Sequence, residues 1–138
     1  MIRLFAVMAN RLLETRRRPS STDTLSDDNF EKAVDMMYHC QGKIIVTGVG
    51  KSGHVGAKIA ATLASTGTPA FYINPLDVYH GDLGVMTDKD VVLALSNSGQ
   101  TDELLRFIPM VLHMNVPIIP SPEIQILCWQ NTPTTISP

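Results

Sequence analysis

The stretch KIIVTGVGKSGHVGAKIAATLASTG, residues 43–67, decides the fold. It opens with a short apolar, β-branched run (43–47) and passes through the glycine-rich GVGKSG (48–53). A helix-forming stretch (54–66) follows, and Gly67 stops it. The order is strand, glycine turn, helix. Downstream, residues 70–74 read as a second strand entering the loop PLDVYHGDLG (75–84), and residues 90–95 as a third strand entering SNSGQT (96–101). Residues 101–115 carry Leu104, Leu105, Ile108, Val111 and Leu112 at helical spacing, with Pro109 expected to interrupt and kink the helix. A fourth strand is expected at 116–119. Upstream, Asp27 and Asp28 are placed to cap a helix in which Phe30, Val34, Met37 and Tyr38 recur at helical spacing, with Gly42 as its stop.

These strands lack strict alternation, and each is followed by a helix or a long crossover. That pattern belongs to a parallel sheet covered on both faces. The expected fold class is therefore α/β, a three-layer sandwich with a mainly parallel sheet. Ligands of such sheets lie at the carboxyl ends of the strands, where both the glycine-rich and the serine-rich loop fall.

Composition sets the outer bounds. A chain of 138 residues, 44% hydrophobic and 17% charged, suits one compact domain. A net charge of -2 gives no electrostatic reason to expect nucleic acid or an anionic membrane, and the basic run Arg16, Arg17, Arg18 reads as a solvated segment. Only Cys40 and Cys128 are present, without a zinc-type spacing, so a reduced, cytoplasmic protein is expected. No secretory leader and no membrane span are expected, because no stretch reaches about 18 uninterrupted apolar residues. Neither a cofactor nor a metal is expected.

Gly48, Gly50 and Gly53 spell GxGxxG between a strand and a helix, which is the setting of a dinucleotide fingerprint. The acid that should follow at the end of the second strand is missing: that position is Asn74, and the nearest acid is Asp77. A P-loop would need glycine at Ile45. Phosphate binding without a dinucleotide is left, with Gly50 and Ser52 in the turn as its donors. Ser96, Ser98 and Thr101 bring three hydroxyls to a helix start whose amides and dipole suit an anion, and Gly99 lets the backbone approach. The plainer alternative is that Ser98 or Thr101 only caps the helix.

Taken together, GVGKSGHVGAKIAATLASTGTPAFYINP (48–75), HGDLG (80–84) and DVVLALSNSGQTDEL (90–104) resemble the sugar isomerase domain of the arabinose-5-phosphate isomerase family. The resemblance covers roughly residues 27–119. It implies interconversion of D-arabinose 5-phosphate and D-ribulose 5-phosphate, a small-molecule sugar phosphate as partner, and homo-oligomers among full-length members. It further implies that Lys51 is the cation near the substrate and Glu103 one of the catalytic carboxylates, with His80 as a ligand or base. Each has a plainer role open to it: Lys51 as a phosphate counter-ion, Glu103 as an acid favoured in a first helical turn, and His80 as a hydrogen-bonded turn element. Gln100 departs from the family's usual glutamate and lacks its charge. A non-catalytic sugar-phosphate-sensing module is the alternative function, although no DNA-binding helix pair precedes the domain.

The expected organisation is a terminal segment and linker at 1–26, a partial sugar isomerase domain at 27–119, and a non-family tail at 120–138. After VPII the family continues with a segment like AITGNPDS and later brings a glutamate and an HPGG-like histidine, whereas this chain reads PSPEIQILCWQNTPTTISP. Codons for AITGNPDSMLAKHADYHIS can be chosen so that losing the first base produces that tail, which points to a frameshift and to an enzyme with little or no turnover. Sequencing the gene and the DNA after it is expected to reveal the family-like continuation in another frame. Its absence, together with that of an HPGG-like coding segment, would refute the frameshift.

Overall fold

The computed structural model describes residues 27–98 and 101–120 of the chain. The chain runs α1 (Asp27–Tyr38), β1 (Ile44–Gly48), α2 (Lys51–Ser65), β2 (Ala70–Ile73), two 3-10 turns (Asp77–His80 and Asp82–Val85), β3 (Val91–Leu95), α3 (Asp102–His113) and β4 (Ile118–Pro120). The four strands form one parallel sheet in the order β2-β1-β3-β4. All four fall where the apolar runs place them, with ends shifted by one or two residues.

The strands are nearly continuous in apolar character because both faces are covered. Every residue of β1 is buried. Ile44 and Val46 pack with Ala60 and Leu63 of α2 and with Ala33, Met36 and Met37 of α1. Ile45 faces the other way, joining Leu104, Phe107, Ile108 and Val111 of α3 together with Val78 and Met86 from the 3-10 segment. The sandwich is therefore three layers deep. Burying a large aliphatic or aromatic side chain in such layers contributes about 1.5–3 kcal/mol before entropy is counted.

Three local expectations change. α2 begins at Lys51, so GKSG supplies the helix's first turn rather than a loop ahead of it. α3 continues through Pro109: the carbonyl that Pro109 cannot bond is that of Leu105, 43% exposed, while Leu104, Phe107, Ile108 and Val111 hold the helix from its buried side. Tyr38 does not join the buried face of α1. It is 64% exposed and meets the His39 ring edge-on at 5.0 Å. Phe30 lies outside the described side chains, and the linker and tail lie outside the described residues.

The amino ends of β1 and β3 are clamped by Asp90, which is 1% exposed. Its carboxylate accepts from the Lys43 backbone N–H (2.9 Å), the Thr87 N–H (2.8 Å) and the Lys43 ammonium (3.1 Å). Gly42 makes this possible: a Cβ there would collide with Asp90 Oδ1 and lie 2.8 Å from the Lys89 carbonyl oxygen. Burial pushes the Asp90 carboxyl up, but the Lys43 and Thr87 N–H donors and the Lys43 ammonium outweigh it and hold it below the usual aspartate range. A carboxyl lowered on folding stabilises the protein above its unfolded value, near ~4, and that contribution disappears as pH falls through the folded value. Asp90→Ala is therefore expected to lose about 3 kcal/mol at neutral pH, with the gap to wild type narrowing in acid. Denaturant titration across pH checks this; a pH-independent gap would contradict it.

Candidate functional site

The chain leaves β1 toward β2 on one side and returns to β3 on the other. The loops after β1 and β3 consequently diverge, opening a crevice at the carboxyl ends of these two strands. Gly48 pairs with Leu95, which sets the glycine turn beside Ser96.

Each glycine of GxGxxG meets a different demand. A Cβ on Gly48 would lie 2.9 Å from the Leu95 carbonyl oxygen and 3.1 Å from the Ser52 carbonyl carbon, so the turn closes only without one. Gly50 has φ 60° and ψ -127°, backbone that side-chain-bearing residues rarely adopt. A Cβ on Gly53 would lie 2.6 Å from the Tyr72 hydroxyl and 2.8 Å from the Gly48 carbonyl oxygen. That space lets the Tyr72 hydroxyl donate to the Gly48 carbonyl, tying β2 to the turn. Burial, then the nearby Asp77 charge, pushes the Tyr72 phenol up, so it holds its proton for this bond. α2 starts on Gly50 without a side-chain cap and without an acid in its first turn, leaving its amide-rich, positive end directed at the crevice. Ser52 is half-buried in that turn, and Lys51 is exposed.

The second loop supplies hydroxyls. Ser96 is 6% exposed, and its Oγ lies 3.3 Å from Thr101 Oγ1. Thr101 is the N-cap residue of α3, but its side chain makes no capping bond. Simple capping is therefore not how the Thr101 hydroxyl is used. Ser98 is exposed. Gly99 and Gln100 lie outside the described residues.

Glu103 is half-buried in the first turn of α3 and lines a cleft of about 280 Å³ together with Leu76, Asp102 and Arg106. Lys51 is not among the described residues of that cleft. The fold thus joins Ser96 to Thr101 and sets Ser96 beside the 48–52 turn, while Glu103 stands in the wall of the cleft along α3. His80 ends the first 3-10 turn, before Gly81 at φ 107°, and its side chain lies outside the described residues. Asn74, where a dinucleotide site would want an acid, is engaged in a turn: its side-chain oxygen accepts from the Leu76 N–H (3.1 Å) and its carbonyl from the Asp77 N–H (3.0 Å).

Sequence reasoning missed Tyr72, Thr47 and Arg106. Thr47, one residue before the end of β1, buries a hydroxyl that has no partner among the described residues. No local pattern marks Tyr72 or Thr47; their roles depend on the β1–β2 register. Arg106 could have been found from its spacing, one turn beyond Glu103.

Residues 37–120 match the SIS domain model. The chain is 50% identical over 97 residues to the arabinose 5-phosphate isomerase KdsD of Shigella flexneri, covering 70% of this chain and 30% of that protein. It is 51% identical over 92 residues to the KdsD of Pseudomonas aeruginosa, covering 67% and 28%. The chain thus spans about 30% of the length of such curated relatives. The structure of an Escherichia coli CFT073 protein in complex with arabinose 5-phosphate superposes with a TM-score of 0.68 at 39% identity, covering 82% of this chain and 58% of that one.

Proposed function

The chain belongs to the SIS domain family, and from that premise we propose that its crevice binds a pentose phosphate, with D-arabinose 5-phosphate and D-ribulose 5-phosphate as the pair the full protein interconverts. The observation that carries this reading is the Gly48–Leu95 pairing. It sets the acid-free amino end of α2 next to the Ser96–Thr101 hydroxyl pair. Fixed amides and hydroxyls of this kind suit a dianionic phosphate. The arabinose 5-phosphate complex of the 39%-identical relative supports the choice of ligand.

In this reading the phosphate rests on Gly50, Ser52, Ser96, Ser98, Gly99 and Thr101, with Lys51 as a cation at the rim. The open carbon chain extends toward Glu103. Glu103 takes the proton from C2; the C–H electrons form the C1–C2 double bond, and the carbonyl π pair moves onto O1. Glu103 then returns the proton to C1, while the hydroxyl proton passes from O2 to O1 and C2 becomes the carbonyl. His80 is assigned to handling the sugar's oxygens. No nicotinamide enters the scheme, in keeping with the engagement of Asn74 in its turn.

Binding without appreciable turnover is the behaviour proposed for these 138 residues on their own. Lys51 stands outside the Glu103 cleft, and the family resemblance draws further acid–base groups from segments with no counterpart in this sequence. General acid–base groups contribute about 10²–10⁴-fold each, so the lack of two brings turnover near background. Alanine at Ser96, Ser98 and Thr101 together is expected to abolish calorimetric binding of arabinose 5-phosphate while circular dichroism stays unchanged. Undiminished binding would refute the site, and robust isomerisation by wild type would refute the proposed lack of turnover.

A further inference from the structure

Arg106 has no counter-ion among the described residues, although the spacing invites one. Asp102 lies four positions before it on α3 and Glu103 three, and both share its cleft. The ion pairs formed among the described residues are His39–Asp35 and Lys43–Asp90. An exposed guanidinium thus lines the wall of a cleft of about 280 Å³ beside the proposed proton carrier.

We infer that Arg106 binds the C1–C2 end of the open-chain sugar and favours its anionic, enediolate-like form over a neutral one. This rests on the sugar-phosphate reading above. The position fits: Arg106 lies five residues beyond Thr101, a rise of ~7.5 Å along the helix, comparable to an extended five-carbon chain whose phosphate sits at Thr101. The charges fit as well. The α2 end of the crevice, which faces the phosphate, has no acid in its first helical turn, and the cleft along α3 holds a guanidinium for the other end of the sugar. When Glu103 takes the C2 proton, its negative charge moves onto the substrate oxygen. The guanidinium then meets that charge on the substrate itself, with donors fixed in a planar fork that suits an oxyanion next to a hydroxyl.

Two ligands separate this role from phosphate binding. D-Arabinitol 5-phosphate has a neutral C1 end, and 5-phospho-D-arabinonate carries an anionic carboxylate there. By isothermal titration calorimetry the full chain is expected to bind the arabinonate at least about 10-fold more tightly, the lower end of what a charge-assisted bidentate contact supplies. Arg106→Ala and Arg106→Gln should erase that preference while holding arabinitol 5-phosphate within about 2-fold of wild type, and Arg106→Lys should retain part of it. An equal loss for both ligands would make Arg106 a phosphate counter-ion and overturn the inference, as would a wild-type chain that binds both equally. A wild-type chain that binds neither overturns the sugar-phosphate reading itself, and this inference with it.

Discussion

The parallel pairing of β1 with β3 is the constraint on which the rest of the structure depends. Five consecutive positions pair, from Ile44 with Val91 to Gly48 with Leu95, and neither end tolerates slippage. At the amino end, Asp90 takes its bonds from Lys43 and Thr87 in space that only a glycine at position 42 leaves free. At the carboxyl end, Gly48 lies so close to Leu95 and Ser52 that any side chain would push the strands and α2 apart. A one-residue slip would also exchange the two faces of β1, turning Ile45 from the α3 layer to the α2 layer.

From this pinned register a division of charge follows. The most buried acid among the described residues, Asp90, lies at the amino edge of the sheet and is fully engaged in holding it. The carboxyl edge offers amides and hydroxyls near α2 and β3, then a cleft with two carboxylates and a guanidinium along α3. In the proposed reading, one end of such an edge receives the phosphate and the other carries proton transfer. Neither end needs a cofactor in order to differ from the other, because helix starts and side-chain placement create the contrast.

Much of this was legible in the sequence because its signals are local. The run KIIVT reads as a buried strand beside GVGKSG, and the hydroxyl-rich segment 96–101 follows the third apolar run at the carboxyl edge of the sheet. Boundaries slipped where tertiary packing decided them. α2 begins at Lys51 because the positive φ of Gly50 turns the chain there, and the close approach at Gly53 docks the first turn on Gly48. Pro109 failed to interrupt α3 because the buried side of the helix holds it together. Asp90 and Tyr72 act through residues 47 and 24 positions away, so no window of sequence could reveal them. Arg106 was overlooked for another reason: an arginine on a helix ordinarily reads as a solvated face, and only the folded chain sets it on a cleft wall with Glu103.

The central claim, that the β1–β3 crevice holds the sugar phosphate, is tested most directly by following backbone amide resonances of the labelled chain during titration with arabinose 5-phosphate. The account predicts saturable shifts at residues 48–53 and 96–103, and none at Gly42, Lys43 or Asp90 on the opposite edge of the sheet. Shifts confined to that opposite edge, or no saturable shift at all, would contradict it.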